Sequence, residues 1–96
     1  MKYKIVPNNT PEQNRFISIS DFKDCMHWGG EVEFIWKGIH YGVMRYGINN
    51  MITIYRMGCP ETDRACKDAD EALEYMVGSD RLRDVITQVT VLDRTI

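Results

Sequence analysis

The stretch EVEFIWKGIHYGV, residues 31–43, decides the fold of this chain of 96 residues. Apolar and polar side chains alternate in it on both sides of a Lys-Gly pair at 37–38, which suits a two-residue turn. If that pair closes a hairpin, Phe34 faces Tyr41 and the large apolar side chains share one face. A slip of one residue would destroy this agreement. The stretch therefore predicts two antiparallel strands with one buried face.

A third strand is predicted after the sequence GINN at 47–50, whose residues tolerate the backbone angles of a tight turn. Closing this turn puts Val43 opposite Ile54 on the core face. On the other face Gly42 falls beside Tyr55, and we expect the tyrosine ring to cover the exposed glycine backbone. The predicted fold is α+β, a three- to four-stranded antiparallel β-meander packed against short helices.

A helix is predicted before the meander. Ser18 begins a pattern typical of a helix cap, and an apolar stripe at helical spacing runs from Ile19 to Met26. The Gly-Gly pair at 29–30 supplies the left-handed stop. We expect Trp28, in the last turn, to fold back over the core.

Two more helices are predicted after the meander. The first starts at an Asp68 cap and runs over 69–77, where apolar residues follow helical spacing up to a stop at Gly78. The second starts from a Ser79 cap and ends near residue 87. The segment 87–93 is interpreted as a strand because its β-branched residues alternate, with one helix continuing through position 89 as the alternative.

The chain is expected to form a single α+β domain over residues 1–96, with 1–14 as a peripheral N-terminal segment. Residues 7–14, which contain two prolines, are predicted to form a polar loop. Residues 58–67 show no period and are interpreted as a long connection. One contiguous core is predicted, and its members are Phe34, Trp36, Tyr41, Ile54, Leu73 and Ile86.

Composition limits the classes of protein to consider. The formal net charge is −2, so no overall positive field would attract a phosphate backbone, and a nucleic-acid partner is unlikely. No apolar run reaches the roughly 20 residues that span a bilayer, and the N-terminus lacks the apolar region of a signal peptide. Three cysteines, an odd number, fit a reducing compartment. We therefore expect a cytoplasmic protein without a membrane partner.

The stretch from Phe22 to Val43, with its Gly-Gly pair and the segments EVEF and WKG, resembles a group of short uncharacterised proteins from Gram-positive bacteria and their prophages. The segment GSDRLRDVI at 78–86 resembles the C-terminal part of the same group. The resemblance covers about half the chain. It implies a fold of helix, Gly-Gly, hairpin and helices in a mobile-element setting, and it implies no site residue.

Candidate chemistry rests on few residues. Cys25, His27, Cys59 and Cys66 could supply a Cys₃His metal set or a thiol nucleophile, but their spacing lacks the short knuckles of structural zinc sites. Glu31 and Glu33 project from one face of a strand, where solvated glutamates are common. No phosphate-binding glycine loop is present, so no cofactor is expected.

The outer sheet face offers a different kind of site. It brings Ile35, His40, Met44 and Tyr55 together among charged residues, a mixture that is typical of binding surfaces. The sequence therefore favours a small non-enzymatic accessory or regulatory protein that acts through a protein partner or as a homodimer. The alternatives are a small metal- or thiol-dependent enzyme built on the cysteines and His27, and an inhibitor of a nucleic-acid-processing complex that uses the acidic C-terminal part.

Overall fold

The computed structural model describes residues 11–46 and 51–95. The helices are α1 (Pro11–Asn14), α2 (Ile19–His27), α3 (Ala69–Ala72) and α4 (Leu82–Val85). The strands are β1 (Val32–Trp36), β2 (Ile39–Tyr46), β3 (Met51–Arg56), β4 (Cys59–Cys66), β5 (Met76–Val77), β6 (Asp80–Arg81) and β7 (Thr90–Arg94). Within these residues one antiparallel sheet has the order β4-β3-β2-β1-β7, and β5 pairs with β6. The α+β class and the meander are confirmed, with five strands in the sheet.

The register predicted for the first hairpin is confirmed. Phe34 lies opposite Tyr41, and Val32 lies opposite Val43. Lys37 and Gly38 between the strands both have positive φ, at 51° and 80°. A two-residue hairpin turn of type I′ requires positive φ at both positions. In the second hairpin Val43 lies opposite Ile54, again as predicted. The predicted turn at 47–50 lies outside the described residues.

Helices α2, α3 and α4 contribute to a core on one face of the sheet. Phe22 of α2, Ala72 of α3 and Leu82 of α4 are fully buried in the same cluster as Phe34 and Ile54 of the strands. The predicted core is confirmed at Phe34, Tyr41, Ile54, Leu73 and Ile86. Trp36 is the exception, because it is half-buried at the margin of the cluster. There its indole Nε1 donates a hydrogen bond of 2.9 Å to Asp80 Oδ2.

The start of α2 follows the capping pattern of the sequence. The Ser18 hydroxyl accepts a hydrogen bond from the Asp21 amide at 3.0 Å, and the Asp21 carboxylate accepts one from the Ile17 amide at 3.1 Å. The same carboxylate binds the guanidinium of Arg94 in β7 through two hydrogen bonds. This ion pair ties the first turn of α2 to the edge strand β7.

The pKa of the Asp21 carboxyl reflects this pair. Burial alone would raise the pKa, but the hydrogen bonds from Arg94 and from the Ile17 amide, together with the Arg94 charge, lower it below the ordinary value. The side chains are 16% exposed at Arg94 and 21% exposed at Asp21, so water screens the pair only in part.

The end of α2 uses its two glycines for different reasons. Gly29 has a φ of 80°, the left-handed conformation that ends many helices. A β-carbon added at Gly30 would stand 2.5 Å from Cys25 Sγ and 2.7 Å from the Thr95 carbonyl oxygen. Position 30 therefore has no room for a side chain. The expectation for Trp28 is wrong, since its side chain is 68% exposed.

The segment interpreted as a long connection, 58–67, is instead mostly the edge strand β4. Its register places Cys59 opposite Arg56 and Cys66 opposite Ile52, with an irregularity between Ile54 and Arg56 of β3. Strand pairing satisfies the backbone groups of β3 on that side, although the polar side chains of β4 show no alternation. An exposed, charged edge strand of this kind gives little periodic signal in a sequence.

The helix predicted over 69–77 is also shorter than expected. Asp68 caps it as predicted, but α3 ends at Ala72 because the following carbonyl oxygens find other donors. Leu73 O accepts from the Arg83 amide and Tyr75 O accepts from the Leu82 amide, each at 2.9 Å. The chain then forms the ribbon of β5 and β6.

The remaining predicted boundaries concern α4, β7 and the segment 7–14. The helix cap expected at Ser79 is wrong, since α4 starts after Arg81 and ends at Val85. The strand interpretation of 87–93 is supported by β7, whereas the single helix through position 89 is wrong. The polar loop predicted for 7–14 includes the helical turn α1 over its described residues, and Asn14 there is buried.

Candidate functional site

The outer face of the sheet carries the side chains that alternate with those of the core. Across one row of this face, Tyr55 of β3 lies opposite Gly42 of β2, Gly42 lies opposite Glu33 of β1, and Glu33 lies opposite Asp93 of β7. Four neighbouring strands therefore contribute to one row.

The glycine in this row shapes the surface. A β-carbon at Gly42 would stand 2.5 Å from both Cζ and the hydroxyl oxygen of Tyr55, so the tyrosine ring lies across the Gly42 backbone in the direction of β1. The predicted cover of Gly42 by Tyr55 is confirmed. Because β2 has no side chain at this position, the Tyr55 ring can occupy the space above the Gly42 backbone.

Beside this row lies a concavity of about 190 Å³, whose lining includes Tyr55, Glu33 and Asp93 together with Val32 and Val43. Met44, Tyr55 and Met57 give it apolar and amphipathic side chains, and Glu31, Glu33 and Asp93 give it carboxylates. No lysine or arginine is present among its described lining residues. The concavity is thus acidic on the β1–β7 side and apolar on the β3 side.

Glu33 and Asp93 are the closest acidic pair by register, since they are directly opposite across β1 and β7. Like charges in that relation destabilise a sheet. The imidazole Nδ1 of His40 lies 3.6 Å from Glu33 Oε2, a contact that is an ion pair only when the imidazole is protonated. Glu31, further along the same face, is held by Thr95, whose hydroxyl oxygen accepts from the Glu31 amide at 2.8 Å.

The structure places the four predicted surface residues on this face and divides them into two groups. Met44 and Tyr55 are half-buried and line the concavity. Ile35 and His40 lie opposite each other one step along the strands, beside the concavity, with Ile35 half-buried and His40 exposed. Thr53, on the same face, is buried, so this face is not open throughout.

Sequence reasoning missed Asp93 and Met57 as members of this surface. Asp93 joins it because β7 pairs with β1, a long-range pairing that no local pattern reveals. Met57 had a usable signal, since it continues the outward alternation of Thr53 and Tyr55 by one step. Glu31 and Glu33 were recognised as sharing a face, and both line the concavity.

The four residues of the thiol or metal hypothesis are not brought together. Cys25 is buried in the core, whereas His27 on the same helix is exposed. Cys59 and Cys66 face β3 positions that are four residues apart, which separates them by roughly 13 Å. Over residues 11–46 and 51–95, no three histidine, cysteine, aspartate or glutamate side chains are grouped so as to hold a metal ion.

Comparisons of the chain with protein-family models, curated proteins and solved structures gave no match. In the described part of the chain, none of the helices has the length and apolar character needed to cross a membrane. The structure itself defines the class as an α+β domain, with a five-stranded antiparallel sheet and with α2, α3 and α4 packed on one face.

Proposed function

We propose that this protein is a small non-enzymatic binding module that acts in the cytoplasm through a protein partner, which it contacts with the outer face of its sheet. The observation that carries the proposal is the concavity beside the contact of Tyr55 with Gly42, where Met44 and Tyr55 meet carboxylates. Aromatic and methionine side chains are enriched at protein interfaces, with polar groups around them.

The size of the concavity supports a protein partner over a small-molecule ligand. About 190 Å³ is below the roughly 300 to 1,000 Å³ of pockets that enclose a drug-sized ligand. A single side chain from a partner fits this volume better than a cofactor does. The surrounding face, with Ile35 and His40, then serves as the rim of a larger contact.

The position of Tyr55 supports the same proposal. Its ring is held over Gly42, so the side chain presents a fixed surface and does not sample many rotamers. Preorganised aromatic side chains lose little conformational entropy when a partner binds. Tyr55 is therefore the residue at which we expect a substitution to weaken binding most.

The test compares Tyr55→Glu with wild type in a two-hybrid screen against genomic fragments of the source organism. The control is Gln88→Glu, which adds the same charge at an exposed residue next to α4. We expect at least one partner that binds wild type and Gln88→Glu but not Tyr55→Glu. Partners that bind all three proteins equally would contradict the proposed face.

Two measurements make this screen interpretable. Urea denaturation must show that Tyr55→Glu remains folded, since an unfolded variant would place the ring in the core instead of at an interface. Sedimentation of wild type at rising concentration tests the other occupant, a second copy of the chain. A strictly monomeric protein excludes the homodimer and leaves a different protein as the partner.

A further inference from the structure

We infer that the partner presents a lysine or arginine side chain, next to an apolar residue, to the concavity lined by Met44, Tyr55, Glu33 and Asp93. This inference rests on the proposed function, because it names the chemistry of the partner at the same face. It follows from three properties of the described residues: the sign of the charge, the relation of the carboxylates, and the apolar wall beside them.

The sign of the charge selects a basic partner. Glu31, Glu33 and Asp93 all line the concavity, and its described lining contains no lysine or arginine. Charged surfaces at interfaces are matched by the opposite sign, which steers association and excludes wrong partners. A nucleic acid would bring more negative charge to the same place.

The relation between the carboxylates strengthens this argument. Glu33 and Asp93 are directly opposite, and among the described residues the cationic contact of Glu33 is the His40 imidazole at 3.6 Å, an ion pair that requires a protonated imidazole. This cross-strand repulsion opposes folding of the isolated chain. A cation bound between the two carboxylates would remove it, so binding would relieve a cost that the free protein carries.

The same charges argue against a second copy of the chain on this face. In a two-fold symmetric dimer each surface meets its own equivalent, so the acidic side of one concavity would lie near that of its partner. Without cations on the described lining residues, such a contact gains little electrostatically. A heterologous basic segment avoids this repulsion.

The wall formed by Met44, Tyr55 and Met57 explains why an apolar residue should accompany the cation. Lysine and arginine carry long apolar stems that pack along apolar surface while their charged heads reach a polar group. The Tyr55 ring can also contact a cation through its face. A peptide with a basic residue beside an aliphatic or aromatic one therefore satisfies both sides of the concavity.

The experiment pans the immobilised 96-residue protein against a phage-displayed library of random dodecapeptides. The Kd of a selected synthetic peptide is then measured by fluorescence polarisation for wild type and three variants. Asp93→Asn removes a carboxylate from the concavity. Asp84→Asn removes the same charge from an exposed residue of α4 and serves as the matched control. Tyr55→Ala removes the aromatic wall.

We expect lysine or arginine to be enriched in the selected peptides. We also expect Asp93→Asn to raise the Kd about tenfold, the effect of losing one partner of a partly desolvated charge pair, with Asp84→Asn near wild type. Asp93→Asn should also raise the urea midpoint of the free protein, because it removes the repulsion with Glu33. Asn retains an acceptor for the Arg94 amide, which Asp93 Oδ1 binds at 3.1 Å.

The outcomes separate this inference from the proposed function. Peptides that lack basic residues, or equal effects of the two Asp→Asn changes, would overturn the basic partner while a loss of binding in Tyr55→Ala still supported the face. Binding that is unaffected by Tyr55→Ala would overturn both. A library from which wild type selects no peptide would overturn the inference that a short basic segment suffices.

Discussion

The ring of Tyr55 lies across the backbone of Gly42, so close that a β-carbon on the glycine would stand 2.5 Å from the ring carbon Cζ. The two residues are cross-strand partners on the outer face of the sheet, in β3 and β2. This contact fixes the ring, which lines the same concavity as Glu33. The geometry of the candidate site therefore depends on a residue without a side chain.

The first prediction concerns this contact. Gly42→Ala should destabilise the protein by about 1 to 2 kcal/mol, because the new methyl group forces the ring aside. In a Tyr55→Ala background the same change should cost less by at least about 0.5 kcal/mol, since nothing remains to be displaced. A double-mutant cycle from urea denaturation measures the difference. Equal costs in the two backgrounds would show that the ring does not limit position 42.

The second prediction tests the assignment of the sheet faces. Phe34→Ala should cost about 3 to 5 kcal/mol, because Phe34 is fully buried and stacks on Tyr41 at a ring distance of 5.2 Å. Ile35→Ala, one residue along on the outer face, should cost clearly less. Denaturation midpoints of the two variants provide the measurement. An equal loss at both positions would mean that both faces of β1 are buried layers.

The third prediction concerns acid stability and the Asp21–Arg94 ion pair. The pKa of Asp21 is lower in the folded protein than the value of about 3.9 expected for an unfolded chain. The unfolded state therefore binds the proton more tightly, so this carboxylate stabilises the fold fully above its unfolded pKa. Its contribution is lost as the pH falls through the lower folded pKa.

Asp21→Asn should accordingly lower the free energy of unfolding near neutral pH and make it less sensitive to pH in the acid range. Urea denaturation from pH 7 to pH 2 compares the variant with wild type. Asp84→Asn, at an exposed residue, is the control for loss of a charge. Parallel profiles for wild type and Asp21→Asn would contradict the stabilising role of the pair.

The fourth prediction concerns the thiols. All three cysteines are free, with Cys25 and Cys66 buried and Cys59 partly exposed. Burial raises the pKa of the Cys25 and Cys66 thiols, which further lowers their thiolate fraction. We expect one thiol to react quickly with Ellman's reagent in the native protein and three after unfolding. Cys59→Ser should abolish the fast phase, and a fast phase that persists would show that a buried thiol is accessible.

By itself, the sequence determined the elements whose causes are local. The β1–β2 register follows from alternation around Lys37-Gly38, and the start of α2 follows from its Ser18 cap, because turn and cap chemistry act within a few residues. The contact between Tyr55 and Gly42 could be predicted for the same reason. It required only the register of a hairpin between adjacent strands.

Only the tertiary structure decided the elements that depend on distant partners. The polar segment Cys59–Cys66 is a strand because the edge of β3 supplies its hydrogen bonds, and α3 ends at Ala72 because amides of Leu82 and Arg83 bind the carbonyls beyond it. Likewise Asp93 faces Glu33 only because β7 returns to pair with β1. The acidic half of the candidate site arises from this pairing between segments about 60 residues apart in sequence. Local sequence patterns do not contain the energy of such long-range contacts.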